Sequence, residues 1–137
     1  MTDLVEIIKA HCDTLKWSFT YGNKANQNLL ESDLIVDRVY LLLDPVTRAK
    51  EKTEFGSTTS ITFSGDFLLL VKSDLDDVYD NKYNDNIKPL LVTHLQLLED
   101  LIDCSDYEIT NWSIKDTINV NDFNGDGVIV TYSIKIV

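Results

Sequence analysis

The chain has 137 residues, which is the length of one ordinary domain. Hydrophobic residues make up 44% and charged residues 26%, so the chain can bury a core without a disulfide or a metal ion. Its 23 acidic and 12 basic residues give a net charge of −11, which argues against binding to nucleic acid phosphates or to an anionic membrane surface. No apolar run approaches the roughly 20 residues that span a bilayer.

The first predicted element is a helix. Its apolar residues recur at three- and four-residue spacing, which is typical of a helix with one buried face: Leu4, Ile8, Cys12 and Leu15. Thr2 or Asp3 can accept hydrogen bonds from the free N–H groups of the first turn. Lys16 suits the other end because a positive charge interacts favourably with a helix C-terminus.

Three strands are predicted between residues 17 and 71. Residues 17–21 alternate aromatic and polar side chains, as a half-buried strand does. Residues 34–43 form a β-branched and leucine-rich strand that ends at Asp44-Pro45, because proline cannot donate a hydrogen bond to a sheet. Residues 61–71 form the next predicted strand, and the successive apolar residues Phe67 to Val71 are typical of a central strand covered on both faces.

A polar segment of mixed charge, Val46 to Ser60, separates the second of these strands from the third. It contains almost nothing to bury, and loops of this length in a compact domain are commonly functional or disordered. Two alternatives therefore stay open for residues 45–60: an extended β-hairpin arm or a mobile loop.

The C-terminal half is predicted to contain one long helix and a hairpin. The helix is expected to start near Asn86, with Pro89 in its first turn, and to present one broad apolar face. Two β-periodic segments, Tyr107 to Val120 and Val128 to Val137, then flank a turn at residues 121–127. The element order predicts a single α+β domain over residues 1–137, with one largely antiparallel sheet and both helices packed on one face.

One motif resembles the start of an EF-hand calcium loop: Asp122-x-Asn124-x-Asp126-Gly127. The twelfth position of such a loop holds a glutamate, but here it is Ser133, and the residues that follow the glycine have strand periodicity. Asn-Gly and Asp-Gly are also preferred in hairpin turns. We therefore predict a hairpin turn with no physiological metal, and weak calcium binding remains the alternative.

Three carboxylates between the third strand and the long helix, Asp74, Asp76 and Asp77, lie in a strongly acidic region. A solvated crossover is the simplest interpretation, and an acidic interaction surface is the alternative.

The histidines and cysteines give no sign of catalysis or metal binding. His11 and His94 are far apart in sequence, and neither has a second His or Cys at metal-ligand spacing. We predict that His94 packs on the apolar helix face and that His11 lies at the edge of its own apolar stripe. Cys12 and Cys104 are expected to be free thiols of a cytosolic protein. No catalytic, cofactor or metal site is predicted, and the protein is expected not to be an enzyme.

The element order and several landmarks resemble those of the tail terminator, or tail completion, proteins of long-tailed bacteriophages. The landmarks are the N-terminal helix, the strand Val36 to Leu43 ending in Asp44-Pro45, the polar arm, the segment Phe63 to Val71, the amphipathic helix and the final strand Val130 to Ile136. The resemblance covers nearly the whole chain, but it is one of architecture and size, and it assigns no role to any individual residue.

This resemblance implies a structural virion protein without enzymatic activity or cofactor. Such proteins form a ring, usually a hexamer, that caps the tail tube and joins it to the head connector. DNA passes through the lumen of the ring without sequence-specific binding. The expected locations are the tail or neck of the virion and, during assembly, the host cytoplasm. A lumen lined with carboxylates such as Asp74, Asp76 and Asp77 would let the duplex slide, because like charges repel.

The main alternative belongs to another functional class. A small acidic α+β protein without a catalytic signature is also consistent with an inhibitor or immunity protein, which blocks a basic partner by charge complementarity. The two hypotheses differ in oligomeric state, since the first requires a ring and the second a monomer or dimer.

Overall fold

Six strands form one mixed sheet in a computed structural model that describes residues 3–22, 38–72, 79–104, 106–117 and 125–136. In chain order the strands are β1 (Ser18–Tyr21), β2 (Val39–Leu43), β3 (Thr47–Lys52), β4 (Thr58–Lys72), β5 (Tyr107–Thr117) and β6 (Gly125–Ile136). The sheet order is β1-β2-β4-β6-β5, and β3 pairs with β4 beside β2. Only β1 and β2 are parallel; the other pairs are antiparallel. The predicted α+β class with a single, largely antiparallel sheet is confirmed.

Helix α1 (Leu4–Leu15) forms where the apolar spacing predicts it. The Asp3 carboxylate accepts a hydrogen bond from the Val5 N–H at 3.3 Å, so Asp3 is the N-cap. Lys16 ends the helix in the left-handed region, at φ 62°, and its N–H bonds back to the last turn. Leu4, Ile8 and Cys12 are buried, which places this face of the helix in the core.

The second helical segment, α2, spans residues 79–103 and starts at Tyr79, well before the predicted start near Asn86. It contains α-helix at Tyr79–Lys82 and Leu95–Asp103, and π-helix at Tyr83–Ile87 and Leu90–His94. The prediction near Asn86 was wrong because it placed Pro89 in a first turn, where the missing N–H is harmless. The chain instead accommodates this proline inside the helix, between two wider π-helical segments that change the hydrogen-bonding pattern around it.

The core lies between the sheet and the two helices. Strand residues Leu41, Phe67 and Leu69 face the helices and join one cluster with the buried residues of α1 and α2. The intervening residues Leu68 and Leu70 belong to a second buried cluster, on the opposite face of the sheet. The apolar run at residues 67–71 was expected in a central strand covered on both faces, and this is confirmed for Phe67 to Leu70, which are all buried. The strand itself is longer at both ends than the predicted 61–71.

The final hairpin pairs as predicted, but its strand boundaries differ from those expected. Strand β6 begins at Gly125, so Gly125, Asp126 and Gly127 lie in the strand and not in the turn. Position 127 requires a glycine because β4 approaches the backbone closely at this point. A Cβ atom here would lie 2.0 Å from the Leu69 carbonyl oxygen. The sequence pattern shows a glycine, but not the neighbouring strand that requires it. Residues 118–124 lie outside the described residues.

Candidate functional site

Residues 47–60 form the extended hairpin, the first of the two alternatives for the polar segment. Strand β3 pairs with the first half of β4, from Thr47 opposite Ser64 to Lys52 opposite Thr58. Every residue of β3 is exposed. The pairing of β6 with β4 ends at Ile61, so the residues from 51 to 60 project beyond β6. We call residues 47–60 the arm.

The tip of the arm is a tight turn that carries an exposed aromatic ring. The Gly56 N–H donates to the Thr53 carbonyl at 3.0 Å, and the Thr53 N–H donates to the Ser57 carbonyl at 2.8 Å. Gly56 has φ 82°, which glycine adopts without the steric cost that a side chain would bring. Phe55 is 93% exposed in this turn. The structured turn therefore presents a large apolar group to the surroundings.

One arginine attaches the base of the arm to helix α1. Arg48 makes two hydrogen bonds to the Asp3 carboxylate, at 2.8 and 2.7 Å, and its guanidinium lies 6.0 Å from the centre of the Phe63 ring. The bond from Arg48 lowers the pKa of Asp3 below its ordinary value. Lys50 lies two residues further along the same face of β3, opposite Ile61. The base of the arm is thus anchored while its outer half is free.

The arm differs in charge from the rest of the chain. Residues 47–57 hold three of the 12 basic residues and only two of the 23 acidic ones. Among the described residues, neither Lys50 nor Lys52 has an ion-pair partner. Arg48, Lys50 and Lys52 stand at alternate positions of β3 and share one face, whereas Glu51 stands on the other. One face of β3 is therefore basic, although the chain as a whole is strongly acidic.

The outer face of the C-terminal part of α2 has the opposite character. Asp100 and Asp103 are exposed and Glu99 is partly buried, and the last turn holds no basic residue. Burial raises the pKa of Glu99, and repulsion from Asp103 and Asp100 adds to this. Beside these carboxylates, Val92 is 67% and Leu97 43% exposed. This surface, which we call the α2 outer face, consists of Val92, Leu97, Glu99, Asp100 and Asp103.

Asp126, the one described acidic residue of the calcium-like motif, points into the protein. Its carboxylate lies 3.7 Å from Lys82 Nζ and accepts a hydrogen bond from Asn86 Nδ2 at 3.0 Å. An ammonium group so close to the carboxylate opposes the binding of a second cation. Asp122 and Asn124 lie outside the described residues. Among the residues that are described, no group of three or more potential metal ligands occurs.

The histidines lie in partly buried positions on separate helices. His94 makes an edge-to-face contact with Trp17, with 6.1 Å between ring centres, and burial lowers its pKa. His11 is partly buried at the side of α1, and its Nε2 finds no partner among the described residues. Both cysteines are free thiols, with Cys12 buried and Cys104 exposed.

A cavity of about 280 Å³ lies between the ends of β2 and β4 and the π-helical part of α2. Its lining combines apolar and polar side chains: Val39, Val71, Lys72, Asp85, Asn86, Pro89, Leu90 and His94. None of these described lining residues is a serine, threonine or cysteine. Asp74, Asp76 and Asp77, the predicted acidic surface, lie outside the described residues.

Compared with known proteins, the chain matches no family model and no curated sequence. Within the part of the chain that the structure describes, no helix is long and apolar enough to cross a membrane.

Proposed function

We propose that this protein is a structural component of a bacteriophage tail, a terminator that forms a ring on the last layer of the tail tube. The ring, a hexamer in our proposal, joins the tube to the head connector, and DNA passes through its lumen. The protein acts by assembly and not by catalysis, and it needs no cofactor.

The observation that carries this proposal is the projecting arm with its exposed Phe55 and with an edge of β3 that pairs with no other described strand. A two-stranded hairpin is marginally stable in water by itself, so a projecting one benefits from a partner. An exposed strand edge can bind another chain by strand addition, and an exposed aromatic ring is a common anchor of protein interfaces. The arm therefore supports assembly with neighbouring subunits.

The symmetry of such a contact is consistent with a ring. When an arm contacts a different surface of the next subunit, the interface is heterologous, and heterologous interfaces produce closed rings if the rotation closes. The net charge of −11 also suits a passage for DNA, because an acidic lumen repels the phosphates.

The first test is the mass of the full chain in solution, measured by light scattering over a concentration series and followed by negative-stain imaging. We expect rings of about six copies with a central hole, either alone or after addition of purified tail tubes, whose ends they should cap. A protein that stays monomeric at high concentration and leaves tube ends bare would overturn the proposal.

A second candidate function is inhibition of a basic protein, and the α2 outer face supports it. Three carboxylates without a neighbouring basic residue would steer a basic partner towards this helix. This candidate predicts a monomer or dimer that binds a basic protein with an association rate that falls steeply with added salt. Capture of a basic partner by the monomer, with no binding to tail tubes, would favour it over the ring.

A further inference from the structure

We infer that the arm of one subunit docks on the α2 outer face of a second copy of this chain. In this contact, Phe55 packs against Val92 and Leu97, and Lys50 and Lys52 face Asp100 and Asp103. The inference rests on the proposed homo-oligomer and specifies which two surfaces form its interface.

Charge complementarity is the first argument. Lys50 and Lys52 are exposed and have no ion-pair partner among the described residues, and the same holds for Asp103. Among the described residues, the Asp100 carboxylate accepts one hydrogen bond, from Gln96 Nε2 at 3.0 Å, and forms no ion pair. Lys50 and Lys52 on the arm and Asp103 on the α2 outer face thus carry opposite charges that no ion pair among the described residues neutralises.

The position of the carboxylates in the helix is the second argument. Asp100 and Asp103 stand in the last turn of α2, where the partial negative charge of the helix end disfavours further negative charge. Mutual repulsion with Glu99 adds to this cost. Basic side chains from outside would relieve both effects, and the subunit has no basic residue in this turn.

The apolar groups and the dimensions also match. Among the described large apolar residues, Phe55 is the most exposed, at 93%, and Val92 comes next, at 67%. The extended strand from Lys50 to Thr53, where the turn at the tip begins, covers about 10 Å. The helix from Leu97 to Asp103 rises about 9 Å along its axis, which is a similar length. An arm lying along α2 can therefore place its aromatic tip and its lysines on their counterparts at the same time.

Such a contact is heterologous, because the arm and the α2 outer face are different surfaces of one subunit. Each subunit offers one arm and one acceptor face, so every contact leaves a free arm at one end and a free face at the other. Addition of further copies continues until the chain of subunits closes.

Charge reversal tests this contact. The arm variant Lys50→Glu/Lys52→Glu and the helix variant Asp100→Lys/Asp103→Lys should each fail to assemble, because the arm and the face then have the same sign. We expect the dissociation constant of the oligomer to rise by at least about tenfold in each. The control Lys9→Glu/Lys115→Glu changes the net charge as the arm variant does, at exposed positions on α1 and β5, and should assemble normally.

Mixing the two variants gives the decisive result. A heterologous contact predicts that an equimolar mixture assembles, since the acidic arm then meets the basic helix and the basic arm meets the acidic helix. Circular dichroism melting of each variant alone checks that it is folded. Replacement of Phe55 by serine should also weaken assembly by about tenfold without a change in melting temperature, whereas Phe55→Leu should retain it.

The outcomes separate this inference from the proposed function. Rings that form equally well in all charge variants, or a mixture that fails to assemble, would overturn the arm–helix contact and leave the ring. Loss of tail-tube capping by an arm variant that still forms rings would make the tube protein the partner of the arm and also overturn the contact. A wild-type chain that never assembles, even on tubes, would overturn both.

Discussion

Lys82 and Asp126 place opposite charges 3.7 Å apart, and neither side chain is exposed. Asn86 donates a hydrogen bond to the other carboxylate oxygen at 3.0 Å. Lys82 and Asn86 come from the first turns of α2, and Asp126 comes from the second residue of β6. The three side chains therefore tie the start of the helix to the start of the last strand.

Removing one member of this buried pair should be strongly destabilising. In Lys82→Met the Asp126 carboxylate stays buried without its counter-charge, so we expect the free energy of unfolding to fall by about 3–5 kcal/mol. Urea denaturation followed by circular dichroism measures it. The matched control is Lys88→Met, an exposed lysine of the same helix, whose effect should stay within about 0.5 kcal/mol. Equal effects in the two variants would contradict the buried pair.

The close approach of β4 and β6 makes a second prediction. Gly127→Ala places a Cβ 2.0 Å from the Leu69 carbonyl oxygen, and since this is backbone, the strands must move apart. We expect a loss of about 3 kcal/mol in the free energy of unfolding. Gly56→Ala is the control, because it has open space but a positive φ, and it should cost only about 1 kcal/mol. If Gly127→Ala were the milder change, the close approach would be wrong.

Local patterns made much of this fold predictable. Apolar residues recur every three or four positions in α1 and at every second position in β6. These spacings match the periods of a helix and a strand with one buried face, so both elements could be read from the sequence. Asp44-Pro45 ends β2 as expected, for a reason that lies within the dipeptide itself. The sequence also identified the arm, although it could not decide between a hairpin and a loop.

The predictions differ from the structure where contacts between residues that are distant in sequence determine the local conformation. Pro89 indicated a helix start, but its effect inside a helix depends on whether the surrounding turns can widen, which the sequence does not show. Asp126-Gly127 had the composition of a turn, yet Lys82 and Leu69, far away in sequence, hold these residues in a strand.

The two thiols should differ in reactivity. Burial raises the pKa of Cys12 to about 12, with a contribution from Asp13, so this thiol is both inaccessible and protonated. Cys104 is exposed after the end of α2. A thiol reagent should therefore modify one cysteine per native chain and both after denaturation, and mass spectrometry should place the native label on Cys104. Cys104→Ser should abolish native labelling, and fast labelling of Cys12 in the native protein would contradict its burial.

The histidines make stability depend on pH near neutrality. Burial lowers the pKa of both His11 and His94 from the ordinary value of 6.5, so the unfolded chain binds protons more readily than the folded one. The stability that comes from keeping them neutral is therefore present above pH 6.5 and is lost as the pH falls below that value. Glu99 acts in the opposite direction, because its raised pKa favours the folded state on protonation. The histidine contribution must consequently be isolated by substitution. We expect the free energy of unfolding to fall between about pH 7.5 and 5.5 in the wild type and to fall less in His11→Gln/His94→Gln. If the free energy of unfolding fell equally with pH in the wild type and in the double variant, folding would not protect either imidazole from protonation.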